Sequence, residues 1–308
     1  MSAHNVVRLA RHNAVILAAD TAAYDHRGVV QAFASKLTPV DRWPGVIGGT
    51  GNMASAEMIS AALVYRFELF DAAVAGIERE LPQIVAETGL DNARYDLVLA
   101  GWSAARQRPE SYNIKTMSDV PSDTPLDQVD AMRAAGIFDP YRLMELPDCV
   151  QTPTPSTALI IEASYEGFAD DDTPETAIQK LRLVLEMQRH HQDRAHGLHW
   201  VGGAAEIATV TPDGVTTDFI HVWDEDDEGQ LIRPMPIDWT EFRVSLGLPP
   251  GKSRKERDAI SKQFADLEAQ LAAARKPTTT PLVIPDGLSP LKRQMLERKQ
   301  RKAKLRAV

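Results

Sequence analysis

Cysteine is almost missing from this chain: Cys149 stands alone among 308 residues. An internal disulfide and any cysteine-rich zinc site are thereby excluded, which fits a reducing compartment or simple indifference to redox. Long apolar runs are missing too. None reaches the roughly 18–20 residues that span a bilayer, and the N-terminus carries no signal-peptide core. Membrane insertion and export are not expected; a cytoplasmic location, or a particle assembled there, is. Aromatic residues make up only 6%, yet 44% hydrophobic and 25% charged residues suffice for a folded globular protein. The length suggests two units, or one large domain with appendages.

The formal net charge of −9 hides an asymmetry. Between Ser289 and Val308, eight basic residues face Glu297 alone, a balance of +7 that leaves −16 on the remainder. An acidic body with a basic tail is not a general nucleic-acid binder, because only the tail suits an anionic partner. The residues expected to bind partners are Lys292, Arg293, Arg298, Lys299, Arg301 and Lys302. They suit the acidic body of a neighbour or, through the tail alone, nucleic acid.

Short apolar runs alternate with helical stretches as far as residue 224. Ala14–Ala19, Gly45–Ile47, Asp96–Ala100 and Ala158–Ile161 read as buried strands. Met53–Glu87 reads as one or two helices, with Pro82 marking a new start or a kink. Thr173 is placed to cap a helix that has Pro174 at its first position and runs to about Gln192. Glu206–Thr211 and Thr216–Trp223 flank Pro212-Asp213-Gly214, a hairpin signal.

Residues 105–156 are rich in proline, with little periodicity beyond Leu126–Ala135, and are expected to form an irregular insertion in a domain of residues 1–224. Residues 225–250 read as an irregular connector anchored by Trp239 and Phe242. Residues 251–276 read as a charged helix with Ile260, Phe264, Leu267 and Leu271 on one stripe. Residues 277–308 read as an extended Pro/Thr arm and basic tail; the arm reaches on the order of 40 Å. The chain beyond about residue 225 is expected to dock on partners instead of completing the core.

Several local patterns resemble one family when taken in order. Asn13–Asp20 (NAVILAAD) resembles a strand ending in a characteristic aspartate. Sixteen residues later, Ser35-Lys36-Leu37 resembles its lysine segment, with Gly28 in the turn between. Val46–Gly51 (VIGGTG), Tyr95–Gly101 (YDLVLAG) and Val210–Val215 (VTPDGV) resemble a strand with glycine turn, a central strand and a late hairpin. Together they resemble the N-terminal-nucleophile (Ntn) hydrolases, the proteasome β-subunit and HslV branch in particular, over roughly residues 4–224. The resemblance implies an α+β fold, a four-layer αββα sandwich, here followed by a C-terminal helical and extended arm. Continuous apolar strands between amphipathic helices agree with that architecture.

In that family a Thr, Ser or Cys at the mature N-terminus attacks a carbonyl, with its own α-amine (pKa about 7.7–8.0 unperturbed) as base. The resemblance gives Asp20 and Lys36 the role of supporting that amine, or of a structural ion pair if the site is silent. Counting back sixteen residues from Asp20 lands on His4, which cannot serve as the nucleophile. Ser2 is two residues too early, roughly 6–7 Å of extended chain. Where the family carries Asp and then Ser-Gly-Gly, this chain has Leu198 and Val201 before Gly202-Gly203.

The expectation is therefore a non-catalytic, proteasome-like structural or assembly subunit. It would form a homo-oligomer or dock in a larger assembly such as a phage virion. The alternative is an active N-terminal serine peptidase or amidohydrolase using Ser2, after Met1 removal, with Asp20 and Lys36. No cofactor or metal is expected. His190, His191, His196, His199 and Asp193 lie close in sequence but lack a metal-binding spacing. Gly48–Gly51 reads as a backbone turn, since no Gly-Lys-Ser/Thr follows it.

Overall fold

The computed structural model describes residues 3–51, 53–89, 95–117, 139–193 and 196–274. The chain divides into two units, Met1–Arg257 and Asp258–Val308. In the first unit, β1 (His4–Leu9), β2 (Ala14–Asp20), β10 (Cys149–Thr152), β11 (Ala204–Thr211) and β12 (Gly214–Val222) form an antiparallel sheet of order β10-β1-β2-β11-β12. A second antiparallel sheet orders β5 (Leu37–Val40), β6 (Gly45–Gly51), β7 (Tyr95–Ser103), β8 (Arg108–Lys115) and β9 (Met144–Glu145) sequentially. A small ribbon pairs β3 (Ala22–Tyr24) with β4 (Val30–Phe33).

The apolar run of β2 is buried along its whole length because both of its faces are covered. Val15, Leu17 and Ala19 pack with Val6, Leu37, Val46 and Val98 from both sheets. Ile16 and Ala18, on the opposite face by the two-residue strand period, pack with Leu181 and Leu185 of α4 (Pro174–His190). The outer face of the second sheet is covered by α1 (Met53–Arg66) and α2 (Phe70–Glu87), whose Ile59, Leu63, Ile77 and Leu81 meet Ile47, Leu97 and Leu99. Capping explains where α4 begins: Thr173 Oγ1 accepts from Thr176 N, and Pro174 fills the first turn.

Several expectations need correction. Residues 105–156 are not a wholly irregular insertion, because Arg108–Lys115 is a full strand, β8, beside β7. Its proline and charges disguise it. Glu110 is buried in the sheet but satisfied by Arg106, Arg108 and Tyr112. The helix expected at Leu126–Ala135 lies outside the described residues. Ala158–Ile161 belongs to a short helix, α3 (Thr157–Glu162), not a strand; Ser156 accepts from Leu159 N and caps it. The break between α1 and α2 falls at residues 67–69, and Pro82 sits inside α2.

Residues 225–250 also differ from expectation, since they complete the core of the first unit. Trp239 on α5 (Trp239–Ser245), with Leu246 and Leu248, closes a cluster with Leu183, Val184 and Met187 of α4. The charged stretch forms α6 (Arg254–Ala274), on which Phe264, Leu267 and Leu271 are exposed. The arm and the basic tail, with Lys292, Arg293, Arg298, Lys299, Arg301 and Lys302, lie outside the described residues. Among the described residues, no helix is long and apolar enough to cross a membrane.

Candidate active site

The structure brings Asp20 and Lys36 together. Lys36 Nζ lies 2.8 Å from Asp20 Oδ1, and both side chains are almost fully buried. The backbone N–H of Ala3 donates to the same Oδ1, also at 2.8 Å. The other oxygen, Oδ2, accepts from Gly202 N at 3.3 Å, with the Tyr24 hydroxyl at 3.5 Å. Burial, together with the charges of Asp20 and Asp226, pushes the Tyr24 hydroxyl well above its usual range, so it remains a donor. Burial pushes Lys36 below the usual ammonium range, against the opposing pull of Asp20 and Glu206.

The spacing from His4 to Asp20 depends on the turn between their strands. Strand pairing sets His4 opposite Ala19 and Leu9 opposite Ala14. Four residues therefore connect β1 to β2: a 3-10 turn, Ala10–His12, and Asn13 in the left-handed region. That is two more than the shortest hairpin turn. The extra residues are absorbed at the turn, and Ala3 is the residue beside Asp20. Ser2, bonded to Ala3 N, lies outside the described residues. His4 is buried between the sheets, and its Nε2 has no hydrogen-bond partner among the described residues. Burial, with the Lys36 charge adding to it, lowers the His4 imidazole to about 3.

Around the ion pair the walls are polar. Glu206 Oε1 accepts from the Lys36 backbone N at 2.6 Å, and burial raises this carboxyl. Gly203 has φ +78°, and a Cβ there would lie 2.6 Å from Thr21 Oγ1. Its N–H donates to Asp226 Oδ2 at 2.7 Å. Asp226 in turn pairs through both oxygens with Arg189, each at 2.7 Å, and the Arg189 guanidinium stands 4.9 Å over the Trp223 ring.

Sequence reasoning missed Asp226, because its acidic turn, Asp224–Glu228, looks like a solvated loop. The only sequence signal was an arginine on the apolar side of a helix. Val201 is fully buried in the cluster against α4, and Leu198 packs near Gly28; neither is a donor.

The histidines take up local partners. His190 bonds the Glu186 and Met235 carbonyls, His199 the Arg189 carbonyl, and His196 the Asp193 carboxylate. Among the described residues, no group of three metal-ligating side chains is placed to hold an ion.

The two antiparallel sheets and their covering helices have a fold of the proteasome-like, Ntn-hydrolase type, and the buried Asp20–Lys36 pair lies at the end of β2, beside Ala3. The solved structures it is similar to include Anbu from Hyphomicrobium sp. strain MC1, at 16% identity and a TM-score of 0.50, over 85% of this chain and 97% of that one. A Gly-1 mutant of the same protein aligns at 15% identity and a TM-score of 0.48, over 87% and 100%. No family model and no curated protein matches the sequence.

Proposed function

We propose that this protein is an N-terminal serine hydrolase of amide bonds, with Ser2 as nucleophile once the Met1–Ser2 bond is cleaved. The observation that carries the reading is the shared Asp20 oxygen: Ala3 N and Lys36 Nζ both bond it at 2.8 Å. Bond geometry puts the Ser2 Cα about 2.4 Å from Ala3 N. Lys36 and His4 are both buried between the sheets, close to where the chain enters at Ala3. Asp226, brought beside Gly202-Gly203 from beyond β12, supplies a carboxylate where the family pattern has one earlier in the chain.

In this reading the Ser2 hydroxyl attacks the carbonyl carbon and passes its proton to the free Ser2 α-amine. The amine hands that proton to the leaving nitrogen as the C–N bond breaks, leaving an ester on Ser2. Water then gives a proton to the α-amine and its oxygen attacks the ester carbonyl. The bond from the carbonyl carbon to Ser2 Oγ breaks, the α-amine returns the proton to that oxygen, and the acid leaves. The Lys36 ammonium lowers the proton affinity of the α-amine and stabilises the developing alkoxide. Asp20 holds Lys36 and the Ala3 backbone in place. The sheets and helices form the four-layer αββα arrangement in which such a site is set.

A second reading keeps the fold but not the chemistry: a non-catalytic assembly subunit. Buried Val201 and apolar Leu198, at positions where the family pattern has polar support, favour it. On that reading the exposed apolar residues of α6, with the arm and basic tail, serve self-association or docking in a larger cytoplasmic assembly, a virion among them.

The deciding experiment is intact-mass analysis after treatment with an epoxyketone or β-lactone. The hydrolase reading expects one adduct per chain on a free Ser2 amino terminus, absent in Ser2→Ala. A free Ser2 that takes no label, in a folded protein, overturns it in favour of the assembly subunit.

A further inference from the structure

A cleft lies on the outer side of α4, the face turned away from the sheet. There the end of α3, the first turns of α4, α5 and the segment entering α6 enclose about 480 Å³. This is within the range of small-molecule sites. Its charged walls are mostly self-neutralised. Lys180 Nζ bonds both oxygens of Asp172, and Lys252 is paired with Glu166. Glu256 accepts from the N–H and hydroxyl of Ser253 and so closes the cap of α6.

Arg243 is the exception. It is only 7% exposed and lines the cleft, yet no carboxylate among the described residues lies within ion-pair distance of it. Its Nε donates to Pro249 O at 2.7 Å, and its Nη1 to Ala163 O and Ser164 O at 3.1 and 3.0 Å. Nη2 has no protein partner among the described residues, and it is not among the fully enclosed atoms that lack one. Burial pushes this guanidinium below its usual range, opposed only by the more distant charge of Glu166. Arginine is rarely buried so completely without a counter-charge.

We propose that this cleft binds a small organic monocarboxylate, whose oxygens take the free Nη2 hydrogens of Arg243 and whose apolar body lies against Leu183, Leu248 and Pro250. The carbonyl oxygens already bonded to Arg243 satisfy its other hydrogens without neutralising it, so the anion supplies the missing charge. A single negative charge fits better than a phosphate dianion, because among the described residues Arg243 is the one lining cation without a carboxylate partner, and the unpaired Glu256 carboxylate stands in the same walls. The site shares no residue with the Asp20–Lys36 centre, so its test is independent of the hydrolase reading.

The test is titration of the full-length protein with isovalerate, followed by amide NMR, with isovaleramide and inorganic phosphate as comparison ligands. Isovalerate should shift the Gly167 and Gly251 amides and the Arg243 Nε–H saturably. The amide and phosphate should bind at least about tenfold more weakly, the scale of one charge-assisted hydrogen bond. Arg243→Lys should lose the shifts if it folds. Glu166→Gln changes a side chain that is 70% exposed, and should tighten isovalerate binding by removing a negative charge that acts on Arg243 and by freeing Lys252. Absent shifts, equal binding of isovaleramide or phosphate, undiminished binding to a folded Arg243→Lys, or unchanged affinity in Glu166→Gln would each overturn the assignment.

Discussion

The helices that cover the two sheets do so with different chemistry. Under α1 and α2 the contact is almost wholly apolar: Ile59, Leu63, Phe70, Ile77, Leu81 and Ile84 lie on Ile47, Leu97, Leu99 and Ile114. Under α4 the buried set includes Glu186, Gln188 and Arg189. There, Gln188 and Asn5 exchange two amide hydrogen bonds of 2.8 Å, and Trp223 Nε1 donates to Glu186 at 2.9 Å.

An apolar contact tolerates any packing of about the right volume. A buried polar contact tolerates only the arrangement in which every group finds its partner. The first covering supplies stability. The second fixes position, and it lies on the sheet that carries Asp20.

Asp20→Asn should give the largest effect on this contrast. It leaves the Lys36 ammonium buried without its counter-charge, and a loss of about 3–5 kcal/mol is expected in denaturant unfolding near neutral pH. Asp20→Leu with Lys36→Met should recover most of that loss while Ser2 stays unlabelled. A double variant no more stable than Asp20→Asn would show that the loss does not come from the unpaired Lys36 charge.

Leu81→Ala comes next, with an expected cost of about 2–5 kcal/mol for a fully buried leucine. Labelling of Ser2 should persist at temperatures where the variant is folded. Its loss from folded protein would mean that the two coverings are coupled, and the division drawn here would fail.

The smallest effect at any single pH step is a slope. The unfolded chain protonates His4 near 6.5, whereas the folded chain holds it neutral down to about 3. Between those values the unfolded state binds the extra proton, so stability falls as pH falls, by about 1.4 kcal/mol per pH unit. Above about 6.5 the residue contributes no pH dependence. His4→Leu should flatten the acid side of the stability profile by that slope. Parallel profiles for the two proteins between pH 4 and 6 would remove His4 from the account.

Local chemistry was readable from the sequence, and long-range compensation was not. The doubly buried β2, the capped start of α4 and the Pro-Asp-Gly hairpin all follow from residues a few positions apart. The Asp20–Lys36 spacing was visible as well, because only sixteen positions separate the two residues. β8 was hidden because the arginines that neutralise Glu110 make Arg108–Lys115 look like a surface segment. Asp226 was hidden because its partner, Arg189, is 37 residues away. The four apolar residues Ala158–Ile161 fit a strand or a helical turn equally well, and only the cap at Ser156 decides between them. The count that reaches His4 is a count along the chain, and it measures distance in space only if the turn between is of known length; here that turn has four residues.

That hairpin carries an evolutionary consequence. The connection at residues 10–13 is exposed at most of its positions and is tied to the strands only at its ends. Insertions or deletions there change the length of the chain while leaving Ala3 beside Asp20. One residue gained or lost within β1 would instead slide the start of the chain by about 3.4 Å and exchange the faces of every side chain before it. Lineages sharing this site should therefore drift freely in the length of the turn and hardly at all in that of the strand. The chemistry is anchored to pairing, and the turn is where the chain keeps its slack.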